Sequence, residues 1–242
     1  MISGSVFILL SGEESDKVPD PMTFHETVRS RRSVRGFLPT PVPRDVLDAV
    51  VEDARHTPSN SNIQPWAVHI VSGETLQTLS AAMLVAEAQG RVSPDFPWGY
   101  DELHGRYRER QTAQAATYYE ALGIARENRE DRRLAVLKNL EFFGAPHACL
   151  LFQPDLYGGV RAAGDLGMYA QTFLLSLTAH GLSGVPQTWL GFFAETIREV
   201  LGIDDSMKML FGISFGYPDL TSAASRHQTE RAATAEIVTF HG

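Results

Sequence analysis

The chain has 242 residues, 43% of them hydrophobic and 21% charged, which is ordinary for a globular protein and ample for a buried core. A formal net charge of −8 argues against broad attraction to nucleic acid or anionic lipid, so any anion site must be a local concentration of positive groups. The single cysteine, Cys149, excludes an intrachain disulfide and a thiolate metal cluster.

Residues 1–22 read as an N-terminal extension. Its apolar stretch, Val6, Phe7, Ile8, Leu9 and Leu10, has no basic segment before it and falls far short of the about 20 residues a bilayer span needs. A cytoplasmic protein without membrane contact is the plain expectation. Thr23 with Glu26 three residues on is a capping-box pair that opens a helix over 24–31. Pro39, Pro41 and Pro43 make an extended link. Val46, Leu47, Val50, Val51 and Ala54 then repeat at helical spacing and predict an amphipathic helix over 44–56. A turn-rich loop at 57–62, a strand at 66–71 and a helix at 74–89 follow.

The stretch 98–143 is charged and rich in helix formers, and predicts two helices lying over a core, not a separate domain. The apolar run 147–152 suits a buried strand. Residues 161–180 are apolar on several faces and predict a core helix stopping at Gly181. Such a helix belongs in the middle of something, and a dimer interface is one such place. A shorter helix at 195–201, a strand at 209–215 and a last strand at 235–240 complete the chain. The order lacks a regular strand–helix alternation. It predicts an α+β fold, with a central, mainly antiparallel sheet flanked by helices over one domain, 23–242.

Arg29, Arg31, Arg32 and Arg35 put four arginines within seven residues with no acid among them, in a chain that has only three lysines. Guanidinium forks match phosphate oxygens two at a time, and the hydroxyls of Ser30 and Ser33 add donors. The competing reading is a solvated basic helix end, and spacing alone does not decide between them. The segment from Pro58 to Trp66 is more specific. Ser59, Asn60, Ser61 and Asn62 place short hydroxyls and amides in a loop, and Gln64-Pro65-Trp66 then leads into a strand. Such a loop presents hydrogen bonds to a flat ligand with a heteroatom edge.

These two segments resemble the nitroreductase family of FMN enzymes. Residues 31–35 are similar to its phosphate-binding start, and residues 58–66 to its Pro-Ser-x-x-Asn-x-Gln-Pro-Trp signature. Residues 139–146, residues 181–187 and Arg231 with the segment after it continue the match in the family's own order. The resemblance implies that Arg31, Arg32 and Ser33 hold the FMN phosphate and ribityl chain, with Arg231 a second phosphate arginine from a C-terminal arm. It places Arg35 near the pyrimidine edge of the flavin. Pro58, Ser59, Asn60 and Asn62 become contacts donated by the other subunit of an intertwined homodimer. Val185, Pro186 and Gln187 become backbone-rich contacts along the flavin face, and Asn139 a candidate hydrogen bond to the ring system. Some members carry a Glu-Gly pair where this chain has Gln187-Thr188-Trp189, which suggests a different branch.

The implied activity is ping-pong hydride transfer from NADH or NADPH through FMN to a small acceptor such as a nitroaromatic, a quinone or an activated alkene. The alternatives are a specialised flavin-dependent reductase, dehalogenase or dehydrogenase on the same scaffold, or a flavin-binding protein without reductase turnover. No acid–base side chain is obligatory for a hydride step, so no catalytic residue is assigned. Residues 96–143 are the expected lid. Their aromatics, among them Phe96, Trp98, Tyr107, Tyr118, Tyr119, Phe142 and Phe143, are walls for a planar acceptor or, for the most part, packing. Gly212-Ile213-Ser214-Phe215-Gly216 matches a nucleophile elbow formally, but Tyr217-Pro218 follows where a helix is needed. The eight histidines show no His-x-x-x-His pair on a plausible helix, and no metal is expected.

Overall fold

The computed structural model describes residues 22–156 and 159–242. The extension read at 1–22 therefore lies, except for Met22, outside the described residues. Helix α1 (Phe24–Ser30) begins at the expected capping box: Glu26 N–H donates to Thr23 Oγ1 at 3.3 Å, and Thr23 N–H donates to Glu26 Oε2 at 2.8 Å. Helix α2 (Arg44–Arg55) follows the proline link and buries Val50 and Ala54. Then come β1 (Ala67–Ser72), α3 (Gly73–Ala88), α4 (Gly105–Ala121), α5 (Arg129–Leu137), β2 (His147–Pro154), α6 (Val160–Ala179), β3 (Ser183–Gln187), α7 (Ala194–Leu201) and β4 (Met207–Gly216). Two four-residue helices close the chain, α8 (Ala223–Arg226) and α9 (Thr234–Ile237).

The four strands form one antiparallel sheet in the order β1-β2-β4-β3. Strand β2 is inside the sheet and its residues from His147 to Gln153 are all buried, so both faces must be covered. Side chains of a strand alternate between faces. Leu150 and Phe152 join Leu76, Leu79 and Met83 of α3 and Ile197 of α7 on one face. Cys149 and Leu151 join Val50 of α2 and Leu166, Phe173 and Leu177 of α6 on the other. Burial also pushes the Cys149 thiol far above its ordinary range, which leaves it an inert apolar filler. No helix among the described residues is long and apolar enough to cross a membrane.

Two expectations change. Helix α6 is not enclosed: Asp165, Leu166, Tyr169, Ala170 and Phe173 are buried, whereas Gly164, Gly167, Met168 and Gln171 face outward. The strand expected at 235–240 is the short helix α9 followed by extended backbone without pairing. Its apolar side chains suit a strand, but no sheet edge among the described residues meets it. Ala233 N–H instead donates to Glu236 Oε1 at 3.3 Å, and Glu236 pairs with Arg110 of α4 at 2.9 Å. Phe240 is left 89% exposed.

Candidate active site

Two glycines bring distant segments onto the arginine run. Gly36 O accepts from Asp219 N–H at 2.9 Å and from Ser225 Oγ at 3.2 Å, and Leu38 N–H donates to Tyr217 O at 2.9 Å. A Cβ on Gly36 would stand 2.6 Å from Ser222 Oγ and 2.9 Å from Ser225 Oγ. Only glycine lets the segment after β4 lie this close. On the other side, Ser33 bridges Gly184 of β3. A Cβ there would meet Leu174 Cδ2 at 2.9 Å and Leu177 Cδ1 at 3.1 Å, so β3 packs directly on α6.

The result is a cleft of about 1170 Å³ between α1, the segment 29–35, β3, α6 and the chain's end. Arg29, Arg31, Arg32, Arg35 and Arg231 all line it, with Ser33 and Pro186, and no aspartate or glutamate is among its lining residues. None of these guanidiniums is ion-paired among the described residues. Burial, and then the charge of Arg231, push Arg31 below the ordinary guanidinium range. Burial does the same to Arg35, whose guanidinium carbon lies 5.0 Å from the centre of the Tyr118 ring. A polyanion of matching shape relieves this repulsion, and no side chain of the cleft does so.

The other sequence-derived candidates lie elsewhere. Pro58, Ser59, Asn60 and Asn62 are not among the cleft residues; they sit at the N-terminal end of α6. Asn60 N–H donates to both carboxylate oxygens of the buried Asp165, at 3.1 Å each, and Gln64 N–H donates to Ser59 Oγ at 2.9 Å. Ser61, Asn62 and Gln64 hold left-handed backbone at φ 51°, 57° and 48°, a conformation that persists only when its surroundings enforce it. The loop is thus shaped in advance, while Asn60 and Asn62 remain open to solvent.

Asn139, Val185 and Gln187 do not present side chains to the cleft. Val185 is core. Gln187 Nε2 donates to Asn139 O at 3.0 Å, and Ser214 Oγ donates to Gln187 Oε1 in a short hydrogen bond. Gln187 is therefore a buried tie between the 139–144 turn, β3 and β4. Replacing it by Leu strands two polar partners, and thermal or urea unfolding is expected to register a loss of about 1–3 kcal/mol. The same bond explains Ser214, which is fully buried inside β4 and is no nucleophile. Of the aromatic residues in 96–143, Phe142 and Phe143 are core, Trp98 packs on Phe192 at 5.9 Å, and Tyr118 lies against the cleft arginine Arg35.

Sequence reasoning did not select Gln114, Gln171, His227, Gln228 and Thr229, which also line the cleft. Nearness to Arg231 in sequence was a signal for the last three; for Gln114 and Gln171 there was none.

An antiparallel sheet between two helical layers, with an acid-free arginine cleft joined from both ends of the chain, defines an α+β protein built to hold a phosphate-bearing ligand. Residues 28–217 match the family described as "Nitroreductase family". Nitroreductase NfnB of Mycolicibacterium smegmatis is 43% identical over 213 residues, covering 88% of this chain and 90% of that protein. A 4-nitrobenzoate reductase of Pseudomonas putida is 34% identical over 221 residues, covering 90% and 96%. The crystal structure of the FMN-dependent nitroreductase NfnB from Mycobacterium smegmatis in complex with NADPH superposes with a TM-score of 0.87 at 42% identity, covering 90% of this chain and 97% of that one. The chain belongs to the nitroreductase family.

Proposed function

We propose that this protein is an FMN-dependent oxidoreductase that takes electrons from NADPH or NADH and reduces small acceptors, nitroaromatics first among them, as a cytoplasmic homodimer. The observation that carries this reading is the cleft of unpaired arginines in a chain of net charge −8. Its donor set fits FMN: Arg31, Arg32 and Arg231 with Ser33 for the phosphate and ribityl chain, Arg35 for the polar edge of the ring, and the backbone of 185–187 beside the ring face. Bound FMN supplies the two-electron chemistry between nicotinamide and acceptor. The chain's own part is to bind, orient and set the local field. Arg35, half-buried and free of carboxylates, fixes a positive charge where reduction builds up negative charge.

The arrangement of α6 supports the dimer. The loop at 58–62 is pinned to Asp165, whereas Gln171 and Leu174 line the cleft. At 1.5 Å per residue these points lie about 9–14 Å apart along the helix, which favours the loop serving the cleft of another copy. A two-fold crossing of α6 on its mate near Met168 sets Asp165 of one copy opposite Gln171 of the other, and with it the partner's loop beside the first copy's cleft. Exposed Phe24 and Val28 of α1, Met168, and Ile237 and Phe240 of the tail supply apolar surface for such an interface. Helix α4, tied to the tail by Arg110 and Glu236, serves with α5 as the lid over the acceptor seat.

The purified protein is expected to be yellow, to bleach with NADPH or NADH under anaerobic conditions, and to regain colour on adding a nitrobenzoate. A flavin-loaded protein that neither nucleotide bleaches would refute the reductase reading.

A further inference from the structure

Arg35 is held differently from the other arginines of the cleft. It is half-buried, makes no ion pair or hydrogen bond among the described residues, and has no nitrogen sealed from solvent. Of the five cleft arginines it alone lies over an aromatic ring among the described residues, with its guanidinium carbon 5.0 Å from the centre of Tyr118. Tyr118 is itself fixed in the last turn of α4, where its ring meets His227 edge-on at 5.6 Å and Tyr119 at 5.6 Å. Further along, α4 is tied to the tail through Arg110 and Glu236.

A ring in place of a carboxylate has an electrostatic consequence. A carboxylate beside Arg35 would hold it as well, but would cancel much of its charge. Burial pushes the Tyr118 phenol above its ordinary range, so the ring is neutral. Its quadrupole attracts the cation without neutralising it. The charge of Arg35 is thereby left whole for a ligand in the cleft. Without the ring, a long unpaired side chain turns its head towards water.

We propose that Tyr118 is a positioning residue for the flavin's redox chemistry: its ring, carried by the lid helix α4, holds Arg35 at the flavin edge without neutralising it, and so makes bound FMN easier to reduce. This rests on the flavin reading above, and on the place that reading gives Arg35.

The test measures the midpoint potential of bound FMN by equilibration with redox dyes, and thermal unfolding of the flavin-free protein. Tyr118→Leu is expected to lower the potential by about 30 mV, the two-electron equivalent of a tenfold weaker hold on the reduced form relative to the oxidised one. Tyr118→Phe, which keeps the ring face, is expected to stay near wild type. Arg35→Gln is expected to lower the potential by itself, and adding Tyr118→Leu to it should shift nothing further, because the effect of Tyr118 runs through Arg35. Lost packing alone would move the flavin-free thermal midpoint and leave the potential in place. An unchanged potential in Tyr118→Leu beside a lowered one in Arg35→Gln overturns the inference and leaves the flavin reading standing. So does a Tyr118→Leu shift that persists in full in the Arg35→Gln background, or a Tyr118→Phe protein that falls as far as Tyr118→Leu. Should Tyr118→Leu fail to fold or to hold flavin, stepwise fluorination of the Tyr118→Phe ring keeps its shape while weakening its pull on a cation. The potential should then fall with each step, and a flat series overturns the inference. An unchanged potential in Arg35→Gln, or a wild type that binds no flavin, refutes the underlying reading and this inference with it.

Discussion

Replacing Arg31 and Arg231 together by alanine is expected to leave a protein that folds normally but purifies without FMN. Each guanidinium–phosphate contact is a charge-assisted hydrogen bond worth about 1.5–3 kcal/mol, or about 10–150-fold in affinity. On the proposed placement the two arginines share one dianion, so the double loss should fall short of the product of the single ones. Their relation without ligand gives the prediction its sign. Arg31 is partly desolvated, and Arg231 depresses its pKa further through like charge. Removing either partner therefore relieves repulsion in the flavin-free state while weakening the bound one. The flavin-free thermal midpoint should hold or rise, and the increment in midpoint that saturating FMN confers should shrink. Riboflavin, which has no phosphate, should bind the double variant and the wild type equally. An FMN content equal to wild type in the double variant would show that the phosphate lies elsewhere.

The parts of this molecule that were legible in its sequence are those where a local rule and the tertiary structure agree. The Thr23 and Glu26 pair starts α1, and the apolar repeat through Val50 and Ala54 makes α2. The apolar run at Cys149 and Leu151 is the middle of the sheet. Strand β3 was illegible because Gly184 and Pro186 argue against a strand interior. Its place at the edge of the sheet tolerates the proline, and the glycine is needed for contact with α6. The tail erred in the opposite direction: Ile237, Val238 and Phe240 look like a strand, but a strand needs a neighbour, and the described residues offer none.

The same division runs through the site. The arginines were visible because four fall within seven residues. That Arg31 and Arg231 share one cleft depends on Gly36, whose missing side chain no periodicity reports. His227, a lone histidine in a polar stretch, had only its nearness to Arg231 as a signal. Gln187 stands in a recognisable segment, yet its side chain faces Ser214 and Asn139, so the segment predicts where the backbone runs and not what its side chain does.

The exposed side of α6 yields the other large effect. Met168 is 43% exposed, between outward-facing Gly164 and Gln171. Met168→Arg should cost an isolated protomer little, because the side chain reaches water and arginine is a good helix former. At a two-fold crossing the same change is doubled: two guanidiniums meet across the axis, desolvated and without a carboxylate opposite. The variant is expected to sediment as a monomer at micromolar concentration, and the wild type as a dimer. It should lose FMN in step, although all five cleft arginines are intact, because in the proposed dimer the loop at 58–62 completes the other copy's site. Flavin loss and dissociation should therefore share one concentration dependence, with excess FMN drawing the monomers together. A monomeric Met168→Arg protein that keeps FMN at wild-type affinity would show that each protomer completes its own site. A dimeric one would move the crossing away from the centre of α6.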